Sequence, residues 1–201
     1  MGPKRLKADD VPRRTLTIGC LGWGSLIWDP RDLPIRSTWF DDGPLLPIEF
    51  ARESSNGRIT LVICDVSYRV RACWALMEAV DLKRIAKNDL ATREDVKEKD
   101  TEKSIGFWEA ESGKSYGAAA NDIAQWAPTK GLDAVVWTSL EIGLKSNRGT
   151  LPSIDDILEC LRKLPHAQGK LAEEYIRKAP PQIDSEYRRR VAKEFGWFPQ
   201  G

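Results

Sequence analysis

The chain has 201 residues, enough for one domain or one domain with a substantial extension, and 41% hydrophobic residues including 8 Trp exclude a chain too polar to bury a core. Its 31 Lys and Arg against 30 Asp and Glu leave a net charge of +1, which lacks the electrostatic footprint of a dedicated DNA or RNA binder. One histidine leaves no Cys/His spacing for zinc, and no run of 18 apolar residues predicts a membrane span.

Residues 1–14 carry Lys4, Arg5, Lys7, Arg13 and Arg14, interrupted by Asp9 and Asp10, and are expected to form a flexible, solvated N-terminus. No apolar stretch of the secretory type follows these charges, so the expected location is cytoplasmic. Cys20, Cys64 and Cys73 then sit reduced in strand-like runs as small hydrophobes. Residues 16–21 predict a buried strand. It runs into Gly22-Trp23-Gly24-Ser25-Leu26, a turn whose glycines let the backbone bend and leave amides uncovered. Residues 45–53 and 58–64 predict a hairpin around Asn56-Gly57, a strong turn signal. A further strand is expected over 71–77.

Residues 79–91 predict an amphipathic helix, with Leu82, Ile85, Ala86 and Leu90 on one face. The charged run 95–104 is expected as a solvated loop, followed by a helix near 117–126 and a strand over 133–138. The five strands are expected in one sheet. From Pro152 the period is helical. Ser153 and Asp156 resemble a capping box, and Ile157, Leu158, Leu161 and Leu164 form a buried stripe. A second helix carries Leu171, Ala172, Tyr175, Ile176 and Ala179 and stops at Pro180-Pro181. A third carries Tyr187, Val191 and Phe195 and ends at Gly196, with Arg188, Arg189 and Arg190 expected in solvent. The organisation is an α/β (α+β) domain over 15–150 with a C-terminal helical extension over 151–201 packed on it.

Three features could carry chemistry. A glycine-rich turn after a buried strand presents backbone N–H groups in a concavity suited to a carboxylate or phosphate oxygen, and Ser25 adds a hydroxyl; the plain alternative is an ordinary tight turn with a buried Trp. Arg52, Glu53 and Ser54 end a strand, either as substrate contacts at the sheet mouth or as the polar end of a hairpin. His166 lies between two expected helices. A Ser-His-Asp triad would have to use it, and G-x-S-x-G is absent, which leaves it as an exposed linker residue. Trp28, Trp39, Trp74, Trp108, Trp126 and Trp137 read as core and rim rather than a base-stacking surface.

The segment Gly22-Trp23-Gly24-Ser25-Leu26-Ile27-Trp28-Asp29-Pro30 resembles the Tyr-Gly-Ser-Leu-Ile-Trp-Asn-Pro signature of ChaC-type gamma-glutamylcyclotransferases. Later segments agree in order: Gly57-Arg58-Ile59-Thr60-Leu61, the strand over 71–77, and Leu90-Ala91-Thr92-Arg93-Glu94, which resembles that family's Leu-x-x-Arg-Glu. The resemblance spans residues 16–96. It implies a small, barrel-like mixed sheet with flanking helices, a turn that binds a gamma-glutamyl group through its amides, and Glu94 as general base. That base takes a proton from the substrate α-amine, and the freed amine attacks the γ-carbonyl to give 5-oxoproline, with no metal and no cofactor needed. Trp23 stands where that family has Tyr, and Lys97-Glu98-Lys99 stands where it often has Gly-Gly-Tyr. The expected substrate is therefore a gamma-glutamyl amine or amide rather than glutathione alone.

That chemistry needs a carboxylate within hydrogen-bond reach of an ammonium, partial burial of that carboxylate, and fixed donors at the developing oxyanion. The substrate contacts implied are Gly22, Trp23, Gly24, Ser25, Leu26, Arg52 and Ser54, with Glu94 catalytic. The competing reading is a non-catalytic module that keeps the pocket for a small carboxylate ligand or a protein partner. The direction of Glu94 separates the two.

Overall fold

The computed structural model describes residues 15–78, 81–82 and 89–200. The N-terminus expected to be flexible, and most of the helix expected over 79–91, lie outside them. In chain order the strands are β1 (Ile18–Gly22), β2 (Leu45–Leu46), β3 (Ile48–Glu53), β4 (Ile59–Ile63), β5 (Val70–Arg71), β6 (Cys73–Leu76), β7 (Ile105–Glu109), β8 (Ser115–Tyr116), β9 (Ala134–Thr138), β10 (Gly143–Leu144) and β11 (Asn147–Arg148). The helices are α1 (Ala91–Arg93), α2 (Thr101–Ser104), α3 (Ala120–Trp126), α4 (Ile154–Arg162), α5 (His166–Lys178) and α6 (Glu186–Phe195).

β1 is buried at every position, as an unbroken apolar run requires. It sits second in a five-stranded sheet of order β6-β1-β9-β7-β8, antiparallel to β6 and parallel to β9. Ile18 and Cys20 pack with Met77, Leu90 and Ile105 on one side, while Leu21 joins Phe50, Ile59 and Leu61 in the larger core.

The hairpin forms with Gly57 at φ +83, and Ser54 N donates to Arg58 O at 2.8 Å across its loop. It does not join the sheet of β1: the five strands expected in a single sheet fall in two, and β2 and β5 pair as a separate third one. Both edges of β1 are occupied by β6 and β9, and both edges of β3 are occupied by β4 and β10. The second sheet has the order β11-β10-β3-β4. Apolar content marks a segment as a strand but does not say which edge it will pair with. The two sheets meet instead through side chains in the shared core. The barrel-like closure implied by the resemblance is likewise corrected: among the described residues the ladders remain open.

The segment over 95–104 is not a plain loop. It holds a 3-10 turn, Glu98–Asp100, and then α2, whose Thr101 is buried. It leads straight into β7, a strand the periodicity did not reveal, because Ile-Gly-Phe-Trp-Glu is buried or half-buried on both faces and its apolar residues do not alternate with polar ones.

The last third of the described chain packs three helices on this frame. Ser153 and Asp156 form the capping box of α4, with each side chain accepting from the other's backbone N–H. Two buried ionic groups tie the helices down. Glu49 of β3 is fully buried and accepts four hydrogen bonds: from its neighbour Phe50 N, from Ser185 Oγ at 2.5 Å, from Tyr187 N at 3.0 Å and from the Tyr68 hydroxyl. Burial raises its carboxyl above the ordinary value, against the pull of those donors. Arg188 is not in solvent as expected but 2% exposed. Its guanidinium donates to the carbonyls of Pro180, Ile183, Ile176, Ala179 and Arg177. These include carbonyls at the end of α5 that no later turn of helix can satisfy, so a cation there meets both their lone pairs and the negative end of the helix.

Candidate functional site

β1 ends in a single helical turn. Its internal bonds run from Ile27 N to Gly24 O at 3.0 Å and from Asp29 N to Ser25 O at 2.8 Å. Among the described residues the amides of Gly24, Ser25 and Leu26 therefore remain donors without an acceptor. Neither Gly22 nor Gly24 has positive φ, so backbone freedom is not what calls for glycine here. Clearance is. A Cβ on Gly22 would lie 2.7 Å from the Trp39 ring, and one on Gly24 would lie 2.2 Å from Tyr175 Oη.

The turn forms one wall of an open cavity of about 1340 Å³. Gly22, Trp23, Gly24, Ser25, Leu26, Arg52, Ser54 and Glu94 all line it, although they come from β1, β3, the hairpin and the end of α1. They are not equally free to act. Trp23 Nε1 donates to Leu61 O at 3.2 Å, so the indole belongs to the core as much as to the cavity. Ser54 Oγ is held within its own turn by Asn56 Oδ1 at 2.7 Å and Arg58 O at 3.0 Å. Leu26 is packed in the core on the far side of β1.

Glu94 follows α1, and its carboxylate is 16% exposed. Arg93 Nη1 holds Glu94 Oε1 at 2.5 Å. Arg93 Nη2 donates to Ser25 Oγ at 3.2 Å and to Asp29 O at 2.6 Å, so one guanidinium joins the carboxylate to the turn. Arg31 Nη1 steadies this corner by donating to Arg93 O at 3.1 Å. Arg93 is 8% exposed, and among the described residues its Nε has no partner. Behind the pair lies Cys20, whose thiol is pushed up by burial and further by the Glu94 charge, with Arg93 opposing, and which therefore stays protonated.

Sequence reasoning missed two further members of the site. Arg93 stood inside the quoted Leu-Ala-Thr-Arg-Glu segment, next to the residue chosen. Tyr175 was read only as part of a helical stripe. In the structure its hydroxyl accepts from Leu61 N at 3.3 Å and faces Gly24, while its ring packs edge-on against Trp28 and Phe50. The Arg58 guanidinium lies 5.5 Å from its ring centroid. Burial pushes the phenol up to about 12, with the Leu61 bond opposing, so it remains a hydroxyl. Periodicity cannot separate a core tyrosine from one whose oxygen ends at a cavity wall. His166, the first residue of α5, is exposed.

Among the described residues, no group of three or more His, Cys, Asp or Glu is placed to hold a metal ion, and no helix is long and apolar enough to cross a membrane. No family model, no curated protein and no solved structure matches the chain.

Proposed function

We propose that the chain is a gamma-glutamylcyclotransferase-like enzyme, cyclising a gamma-glutamyl amine or amide to 5-oxoproline with Glu94 as general base. The observation that carries this reading is that Glu94 and the Gly22–Leu26 turn line one cavity and are joined through Arg93. In this reading the free amides of the turn receive the substrate carboxylate or the developing oxyanion. Glu94 takes a proton from the α-ammonium, and the amine so freed attacks the γ-carbonyl carbon. A C–N bond closes the five-membered ring, the original amide C–N bond breaks, and the proton held by Glu94 passes to the departing amine. Arg93 keeps Glu94 Oε1 in place, which leaves Oε2 as the proton acceptor.

The test is release of 5-oxoproline from a panel of gamma-glutamyl amines and dipeptides. Glu94→Gln keeps the shape of the side chain but cannot accept the proton, and should lower the rate by about 10²–10⁴ with the fold intact by circular dichroism. A wild-type protein that binds 5-oxoproline yet releases none from any substrate would make the cavity a ligand-binding module instead.

A further inference from the structure

Away from the glycine turn, the cavity lining includes residues of a row that crosses three strands. Gly143 of β10 is the register partner of Arg52 on β3 and of Arg148 on β11. The row therefore reads Arg-Gly-Arg, with no side chain between the two arginines, and both arginines line the cavity. A larger residue cannot stand at the centre: Gly143 has φ +105, and a Cβ there would lie 2.4 Å from Asn147 O.

Each guanidinium is held in place by backbone carbonyls. Arg52 Nη1 donates to Glu141 O at 2.6 Å, while Arg148 donates through Nη1 to Gly143 O and through Nη2 to Glu53 O at 2.8 Å. Among the described residues neither forms an ion pair with a carboxylate, whereas the nearby Glu53 pairs with Lys145. Arg52 is partly buried and its charged form is disfavoured, first by burial and then by Arg148, with the Glu141 and Glu94 charges opposing. Two fixed guanidiniums that repel each other across an empty position form a receptor for an anion, since each keeps N–H donors beyond those given to carbonyls.

We infer that Arg52 and Arg148 form an anion subsite and that it seats a phosphoryl group on the amine portion of the substrate. A phosphomonoester near −2 matches two guanidiniums, whereas a single carboxylate leaves one of them uncompensated. The open cavity, at about 1340 Å³, has room for a substrate that extends beyond its gamma-glutamyl end. Placing the phosphoryl group on the leaving amine rests on the cyclotransferase reading; the anion subsite does not.

The experiment has two arms. In the first, inorganic phosphate is titrated into the wild-type protein and followed by phosphorus NMR. Saturable binding at millimolar phosphate is expected, weakened about tenfold or more in Arg52→Gln and in Arg148→Gln and less in Arg52→Lys, which keeps the charge. Absence of binding to wild type, or equal binding by Arg52→Gln, overturns the subsite. If Arg148→Gln does not fold, the wild-type, Arg52→Gln and Arg52→Lys titrations still decide. In the second arm, kcat/KM is compared for gamma-glutamyl conjugates of O-phosphoethanolamine, ethanolamine and aspartate. The phosphorylated conjugate should exceed the ethanolamine conjugate by about tenfold or more, and Arg52→Gln should collapse that ratio. Preference for the aspartate conjugate overturns the phosphoryl assignment. Phosphate binding without turnover of any conjugate supports the subsite and overturns its assignment to a leaving amine, together with the enzyme reading.

Discussion

Arg188 and Arg93 are both buried guanidiniums, each with an Nε that finds no partner among the described residues. Arg188 is closed in by five backbone carbonyls and is not among the residues lining the cavity. Arg93 is bound by Glu94, Ser25 and Asp29 and lines the cavity. The difference teaches that burial of a charge does not by itself mark a site. A buried ion whose donors are all directed at the backbone is a fastener. One whose partners include a second ionised group at an open wall can act on something that enters.

The comparison can be broken most directly by removing each cation. Arg188→Met leaves carbonyls at the end of α5 buried without donors and should cost about 3 kcal/mol or more in urea unfolding, while the folded fraction keeps its cavity. Arg93→Met should cost only about 1 kcal/mol, since water entering the cavity can replace its bonds, yet it should impair whatever the cavity does. Equal stability losses would mean that the two arginines have the same role. An effect smaller than that of Arg188→Met concerns the turn that Arg93 holds. Gly24→Ala drives a methyl group into Tyr175 Oη and should cost about 1–3 kcal/mol. Adding Tyr175→Phe should recover part of that loss, because the nearest remaining ring atom lies 3.1 Å away. A double variant no better than Gly24→Ala alone would show that the clash is not the cause.

The smallest effect is a slope. Burial raises the Glu49 carboxyl in the folded state, so the folded protein keeps that proton to higher pH than the unfolded chain does. Its contribution is full below the ordinary carboxylate pKa and is lost as pH rises through the folded value. Urea midpoints measured from about pH 4 to pH 7 should therefore show the wild type losing stability relative to Glu49→Gln as pH rises, on top of a constant offset. A difference that is flat, or that grows in favour of the wild type, would show that the four donors outweigh burial.

Much of the frame was legible in single segments. The apolar run of β1, the Asn56-Gly57 hairpin and the Ser153–Asp156 cap are local features, and each formed where its residues required. The partition of the five expected strands between two of the three sheets was not legible, because β10 has two residues and occupies an edge of β3 that the apolar pattern left unassigned. Arg188 was misjudged because its neighbours Arg189 and Arg190 are exposed and nothing local distinguishes the three; its burial depends on carbonyls that only the tertiary fold brings together. In the cavity, Glu94 and the glycine turn stood out through a resemblance. Arg148 and Tyr175 lie beyond the resembling segment, and only the strand register and the helix packing bring them to the wall.

The Tyr175 hydroxyl that closes the wall beside Gly24 has a consequence in time. A nascent chain presents the Gly22–Leu26 turn and Glu94 well before residue 175 is synthesised. At about 5–20 residues per second the gap between Glu94 and Tyr175 is on the order of ten seconds. Throughout that interval Gly24 lacks its facing hydroxyl, Leu61 N lacks its acceptor, and Glu49 lacks Ser185 and Tyr187. The cavity is therefore completed late in translation, and a ribosome that stalls before α5 holds a chain with its candidate base in place and no finished pocket for a ligand to enter.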